Sequence, residues 1–231
     1  MSTVSSKYRT LTFTKGERLM SKHQEHIVAV FANKYNKVAK ENPQPNNIYD
    51  SKLFESILTN DDIIVAKREH LENDNSFRQV IPYIAFKNEK GEFLTYTRTK
   101  NANEARLHKK ISVGFGGHMD ATDVVFNEES VLDSHASIKE CIKREVIEEL
   151  GDEVYTTIKP SLDKFSISKL IIDDTSKVEE VHMAILIVLD VKSFEVFSED
   201  PSIQMLGFLS KDQIKDIDGD IEPWSEIVIS N

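Results

Sequence analysis

Arg144-Glu145-Val146-Ile147-Glu148-Glu149-Leu150-Gly151 is the stretch on which the reading of this chain turns. On a helix, residues three and four apart share a face. Glu145, Glu148 and Glu149 then project together, while Ile142, Val146, Ile147 and Leu150 offer apolar contacts. Three carboxylates on one face repel one another unless a cation neutralises them, and hard oxygen ligands suit Mg²⁺ or Mn²⁺. Upstream, Ser137 with Glu140 three residues later predicts a capping box at the helix start, and Gly151 marks the stop. A Glu-rich helix face is ordinarily a solvated one, so the flanking sequence decides its meaning.

Working outward, Ile111 to Phe115 reads as a strand ending in Gly116-Gly117. Before it, Ile63 to Val65, Gln79 to Lys87 and Glu92 to Thr99 are further strand candidates, the last two joined by the turn Asn88-Glu89-Lys90-Gly91. After the helix, strands are expected at Asp163 to Ile172, Val178 to Val191 and Ile203 to Leu209, with short helices near Ser210 to Ile217 and Glu222 to Ile229. Toward the N-terminus, Ile27, Val30, Phe31, Tyr35 and Val38 recur at helical spacing within Gly16 to Lys40, and Asn42-Pro43-Gln44-Pro45 breaks that pattern. A short amphipathic stretch, Ser51 to Leu58, follows. Strands around a central helix indicate an α+β sandwich rather than regular βαβ winding.

Gly116-Gly117, the helix and the Arg144 to Gly151 stretch together resemble the signature of the Nudix hydrolases, which runs Gly, five residues, Glu, seven residues, then Arg-Glu-apolar-x-Glu-Glu-x-Gly-apolar. Arg144, Glu145, Val146, Glu148, Glu149 and Gly151 match in register, and Asp152 replaces the final apolar residue. Two departures stand out. Gly117 and Arg144 are 27 positions apart where the pattern has 14, so 13 residues are extra, placed here within His118 to His135. The position eight before Arg144, where the family has Glu, is Ala136; Asp120, Glu128, Glu129 and Asp133 are the candidates for its role. Phe77 to Tyr83, Ser112 to His118 and Glu222-Pro223-Trp224-Ser225 are similar to a little-characterised Nudix subgroup of predicted phosphoesterases.

The resemblance implies a Nudix-type α/β/α sandwich with a mixed sheet over 61–231, preceded by an N-terminal helical extension over 1–60. It implies a metal-dependent hydrolase of the pyrophosphate bond in a nucleoside diphosphate derivative. Glu145, Glu148 and Glu149 would bind Mg²⁺ (or Mn²⁺) with the Gly117 carbonyl, Arg144 would hold the carboxylates, and Glu145, Glu148 or the distant Glu222 would serve as base. Arg98, Arg106 and His118 are candidates for substrate contact. For Lys100, Lys109 and Lys110 a solvated loop is the readier reading. His182 reads as a satisfied core histidine, Cys141 as a small packing residue and Trp224 as a core or lid anchor. An alternative is a Nudix-fold domain that binds a nucleotide or NAD-derived ligand as a sensor, favoured by Ala136 and the insertion. A Nudix-fold isoprenoid diphosphate isomerase would need a thiol better placed than Cys141.

Composition sets outer limits. The chain has 231 residues, 29 Lys+Arg, 39 Asp+Glu and a formal net charge of −10. That balance disfavours nucleic-acid backbone as a partner and leaves small phosphates open, because a metal ion can supply the positive charge. The longest apolar run, Met183 to Leu189, is far short of the ~20 residues that span a membrane. One cysteine and no visible signal peptide fit a cytoplasmic protein. The N-terminal segment could serve as a homodimerisation arm, a lid or a packing layer.

Overall fold

The computed structural model describes residues 25–41, 43–44, 47–52, 62–99, 110–172, 177–198 and 202–230. Its centre is β4 (Phe77–Lys87), hydrogen-bonded in parallel along its length from Gln79 to β9 (His182–Asp190). Both strands read as near-continuous apolar runs, as strands covered on two faces do. From β4 the sheet extends antiparallel to β5 (Phe93–Arg98) and β10 (Ile203–Leu209). Past β9 it continues to β8 (Lys169–Ile171) and β2 (Ile48–Asp50). β1 (His26–Phe31) pairs with both β3 (Ile63–Lys67) and β4. Among the described strands, the parallel β4–β9 pair lies within otherwise antiparallel pairing, so the sheet is mixed.

Helices cover both faces. On one, α3 (Ser134–Leu150) and α4 (Asp152–Leu162) bury Ile138, Cys141, Ile142, Val146, Val154, Ile158 and Leu162 against Val80, Ile84 and Ile185 of the sheet. On the other, α5 (Lys211–Lys215) and α6 (Pro223–Ser230) pack Ile214, Val228 and Ile229 onto Tyr83, Ala85 and Leu186. The remaining helices are α1 (Ala32–Glu41) and the one-turn α2 (Arg68–Leu71). The architecture is the expected α/β/α sandwich, α+β in class.

Four expectations are corrected. The helix predicted over Gly16 to Lys40 is, in its described part, a strand followed by a helix; the run Ile27 to Val30 is buried throughout, which a two-sided strand accounts for better than a helical stripe. Asp163 to Ile172 is a strand only over Lys169–Ile171, and α4 precedes it. Ile111 to Phe115 breaks into β6 (Ile111–Ser112) and β7 (Gly114–Phe115), because the Val113 amide donates to Ser225 Oγ at 2.9 Å instead of to a strand. The cap of α3 is Asp133, accepting from the Ala136 amide at 2.9 Å; Ser137 lies inside the helix, donating to the Asp133 carbonyl and accepting from the Val125 amide. Ser51 to Leu58 falls almost wholly outside the described residues.

Candidate active site

The site is assembled where the chain leaves β7 and meets α3. Gly116 has φ +146°, and a Cβ there would lie 2.0 Å from the Pro82 carbonyl oxygen. A Cβ on Gly117 would lie 2.4 Å from Glu145 Oε1, so the Glu145 carboxylate rests directly against the Gly117 backbone. Only glycine permits that approach.

Arg144 is the hub. Its Nε and Nη2 donate to the two oxygens of Asp123, at 3.0 and 2.7 Å, a bidentate fork. Nη2 also donates to the His118 carbonyl at 2.9 Å. Nη1 donates to Glu145 Oε1 at 2.5 Å and stands 3.6 Å from Glu148 Oε2. Burial opposes the charge on Arg144, but the hydrogen bonds to Asp123 and the charge of Glu145 override it and hold the guanidinium protonated more firmly than usual. Burial raises the Glu145 carboxyl above its ordinary range, Arg144 only partly offsetting this, while Glu148 and Asp123 add to it.

Asp123 fills the role expected of Asp120, Glu128, Glu129 or Asp133. Asp120 instead caps the 3₁₀ turn Ala121–Asp123 and Asp133 caps α3, while Glu128 and Glu129 are exposed. The spacing signal was available. Five residues separate Gly117 from Asp123, as five separate Gly from Glu in the family pattern. Counting back from Arg144 passes through the insertion and lands on Ala136; counting forward from Gly117 does not. The 13 extra residues therefore lie between Asp123 and Arg144, where Phe126 and Leu132 form an antiparallel bridge.

The other expected residues divide. Arg98 comes to Glu149, its Nη2 4.0 Å from Oε1, with the guanidinium 5.6 Å above the Tyr96 ring. Arg106, Lys100 and Lys109 lie outside the described residues. His118 joins the site through its carbonyl, while its ring meets His182. Glu222 has both oxygens engaged: Oε2 accepts from Tyr83 and the Ser225 amide, Oε1 from the Trp224 amide. That is the geometry of a helix cap, not of a base facing solvent. Trp224 stacks edge-on against Tyr83 at 5.5 Å, an anchor as expected. Cys141 is fully buried, and its thiol is pushed well up, by burial first and by Asp123 next.

As ligands, Glu145 and Glu148 converge on Arg144 while Glu149 leans toward Arg98, and among the described residues no three His, Cys, Asp or Glu side chains already enclose an ion-sized space. The donor chemistry fits Mg²⁺, which takes one or two carboxylates and completes its shell with water and substrate phosphates.

A mixed sheet between two helical layers, with the Arg144 box on a helix facing a Gly-Gly strand end, defines a Nudix-fold protein. No family model matches the chain. Protein YmaB of Bacillus subtilis (strain 168) is 34% identical over 168 residues, spanning 71% of this chain and 75% of YmaB. The crystal structure of Tm1382, a candidate Nudix hydrolase, superposes with a TM-score of 0.61 at 22% identity, over 89% of this chain and 97% of that one. The chain therefore has the Nudix fold and belongs to one family with YmaB. No described helix is long and apolar enough to cross a membrane.

Proposed function

We propose that the protein is a metal-dependent pyrophosphohydrolase acting on a nucleoside diphosphate derivative. One observation carries this reading: the Glu145 carboxylate rests against the Gly117 backbone and, with Glu148, faces an Arg144 that Asp123 locks in turn. A family-type box that had lost its Glu would leave Arg144 unanchored. Ala136, which favoured a non-hydrolytic sensor, no longer counts for it once Asp123 stands in the box position.

The residues available to a divalent cation are Glu145, Glu148 and Glu149, with the Gly117 carbonyl beside them. Such an ion supplies charge neutralisation at phosphorus and a water of lowered pKa. Arg144 orients the carboxylates without touching substrate. Arg98, and Arg106 in the neighbouring stretch, offer planar forks for phosphate oxygens. Glu148, with its side chain 47% exposed, is the box carboxylate best able to take a proton from an attacking water. Glu222, tied into its cap, is a poorer candidate.

The test is hydrolysis of a panel of nucleoside diphosphate derivatives with Mg²⁺ or Mn²⁺. We expect turnover of at least one member, reduced about a hundredfold or more by Glu148→Gln. Turnover that is indifferent to this substitution, or no turnover with either metal, counts against the reading.

A further inference from the structure

On the sheet face away from α3, two imidazoles meet: the Nε2 atoms of His118 and His182 are 3.1 Å apart, with the rings inclined at 61°. The face follows from strand alternation. Met183, next to His182, packs in the cluster with Ile138 and Ile142 of α3, so His182 points the other way. His182 Nδ1 lies 2.6 Å from the Val178 carbonyl oxygen. A carbonyl only accepts, so Nδ1 carries the proton and Nε2 of the neutral ring accepts from the Nε2–H of His118, a proton that a bound cation would displace. Metal-binding histidines are held in this manner, one nitrogen donating to a backbone carbonyl and the other ligating. Two imidazole nitrogens on one tetrahedral ion stand roughly 3.3 Å apart, so the pair needs little adjustment.

The third group is Gln79. It is fully buried, and neither atom of its side-chain amide has a hydrogen-bond partner among the described residues. In the parallel register it sits opposite His182, so both side chains leave the same face of the sheet. Buried amides ordinarily find partners, and an exception calls for an explanation.

We propose that His118 Nε2, His182 Nε2 and Gln79 Oε1 form a binding site for a transition-metal ion of the Zn²⁺ class. The site is separate from the α3 carboxylates and does not depend on the proposed hydrolysis. Imidazole nitrogen suits Zn²⁺ and Co²⁺ and is a poor ligand for Mg²⁺. With an amide as third donor, it is not a His/Cys/Asp/Glu triad, of which the described residues contain none. An ion there would tie β4 and β9 to the segment just after Gly117.

Co²⁺ titrated into the full chain, with saturating Mg²⁺ present, tests the site. One equivalent should give a visible absorption band that Zn²⁺ displaces, and Zn²⁺ should shift the imidazole NMR signals of two of the seven histidines. His118→Gln and His182→Gln should each weaken Co²⁺ binding at least about tenfold, with Glu148→Gln leaving it unchanged. No band in the wild type, or one that both histidine variants reproduce with equal affinity, overturns the proposal. Should those variants not fold, unshifted histidine signals in the wild type overturn it as well.

Discussion

At the residue scale, Asp123 is the substitution point with the clearest consequence. Its carboxylate is 4% exposed and that of its partner Arg144 14%, so neither charge is well solvated. Removing one partner of a buried pair strands the other and costs about 3–5 kcal/mol. Asp123→Ala should therefore lower the unfolding free energy by that order, seen as a lower urea midpoint, and release Glu145 and Glu148 from position. Asp123→Glu, which restores the family's residue type, should retain more of both properties than Asp123→Asn. Equal unfolding midpoints for wild type and Asp123→Ala would show that the pair carries no stability. Gly117 presents the converse case. Gly117→Ala places a methyl 2.4 Å from Glu145 Oε1 and so moves a carboxylate. We expect hydrolysis to fall more steeply than thermal stability does, measured side by side on one preparation. The carboxylate face was legible in the sequence because helical spacing is local. Asp123 was missed because its partner is 21 residues away, across the insertion, and counting back from Arg144 lands on Ala136.

At the element scale, the most readable segments were those whose apolar pattern has a single explanation. β4, β5, β9 and β10 are such runs, bounded by turns or charges. β1 was misread because selecting Ile27, Val30 and Phe31 from HIVAVF satisfies helical spacing, although Val28 and Ala29 are as buried as Ile27 and Val30 while Phe31 is exposed. α4 escaped notice because Thr156, Thr157 and Pro160 are weak helix formers; its buried Val154, Ile158 and Leu162 pack at helical spacing all the same. The start of α3 gives a direct test. Asp133→Ala should cost about 1 kcal/mol, the usual loss for an N-cap. Glu140→Ala, harmful only if Ser137 were the cap, should stay within about 0.5 kcal/mol of wild type. Chemical denaturation of the two variants ranks them, and the reverse order would restore the Ser137 cap.

Over the whole molecule, helices pack on both faces of the sheet, and what holds α3 in place matters to the carboxylates it carries. Part of that hold is ionic. Asp163, just past α4, accepts from Lys139 of α3 and, at 2.9 Å, from Lys159 of α4. These two hydrogen bonds, with the charges behind them, pull the Asp163 carboxyl down to about 2. The sign of the linkage follows from that direction. A carboxyl lower in the folded state than its unfolded 3.8 adds stability above pH 4, and the contribution fades as the pH falls from there to 2. Asp163→Asn should therefore melt below the wild type at pH 6, and the two melting temperatures should converge between pH 4 and 2. Because the side chain is 37% exposed, solvent screens the pair, and 0.5 M salt (a Debye length of roughly 4 Å) should narrow the gap at pH 6. A gap that persists unchanged at pH 2 would mean that Asp163 acts through its position at the end of α4, not through its charge.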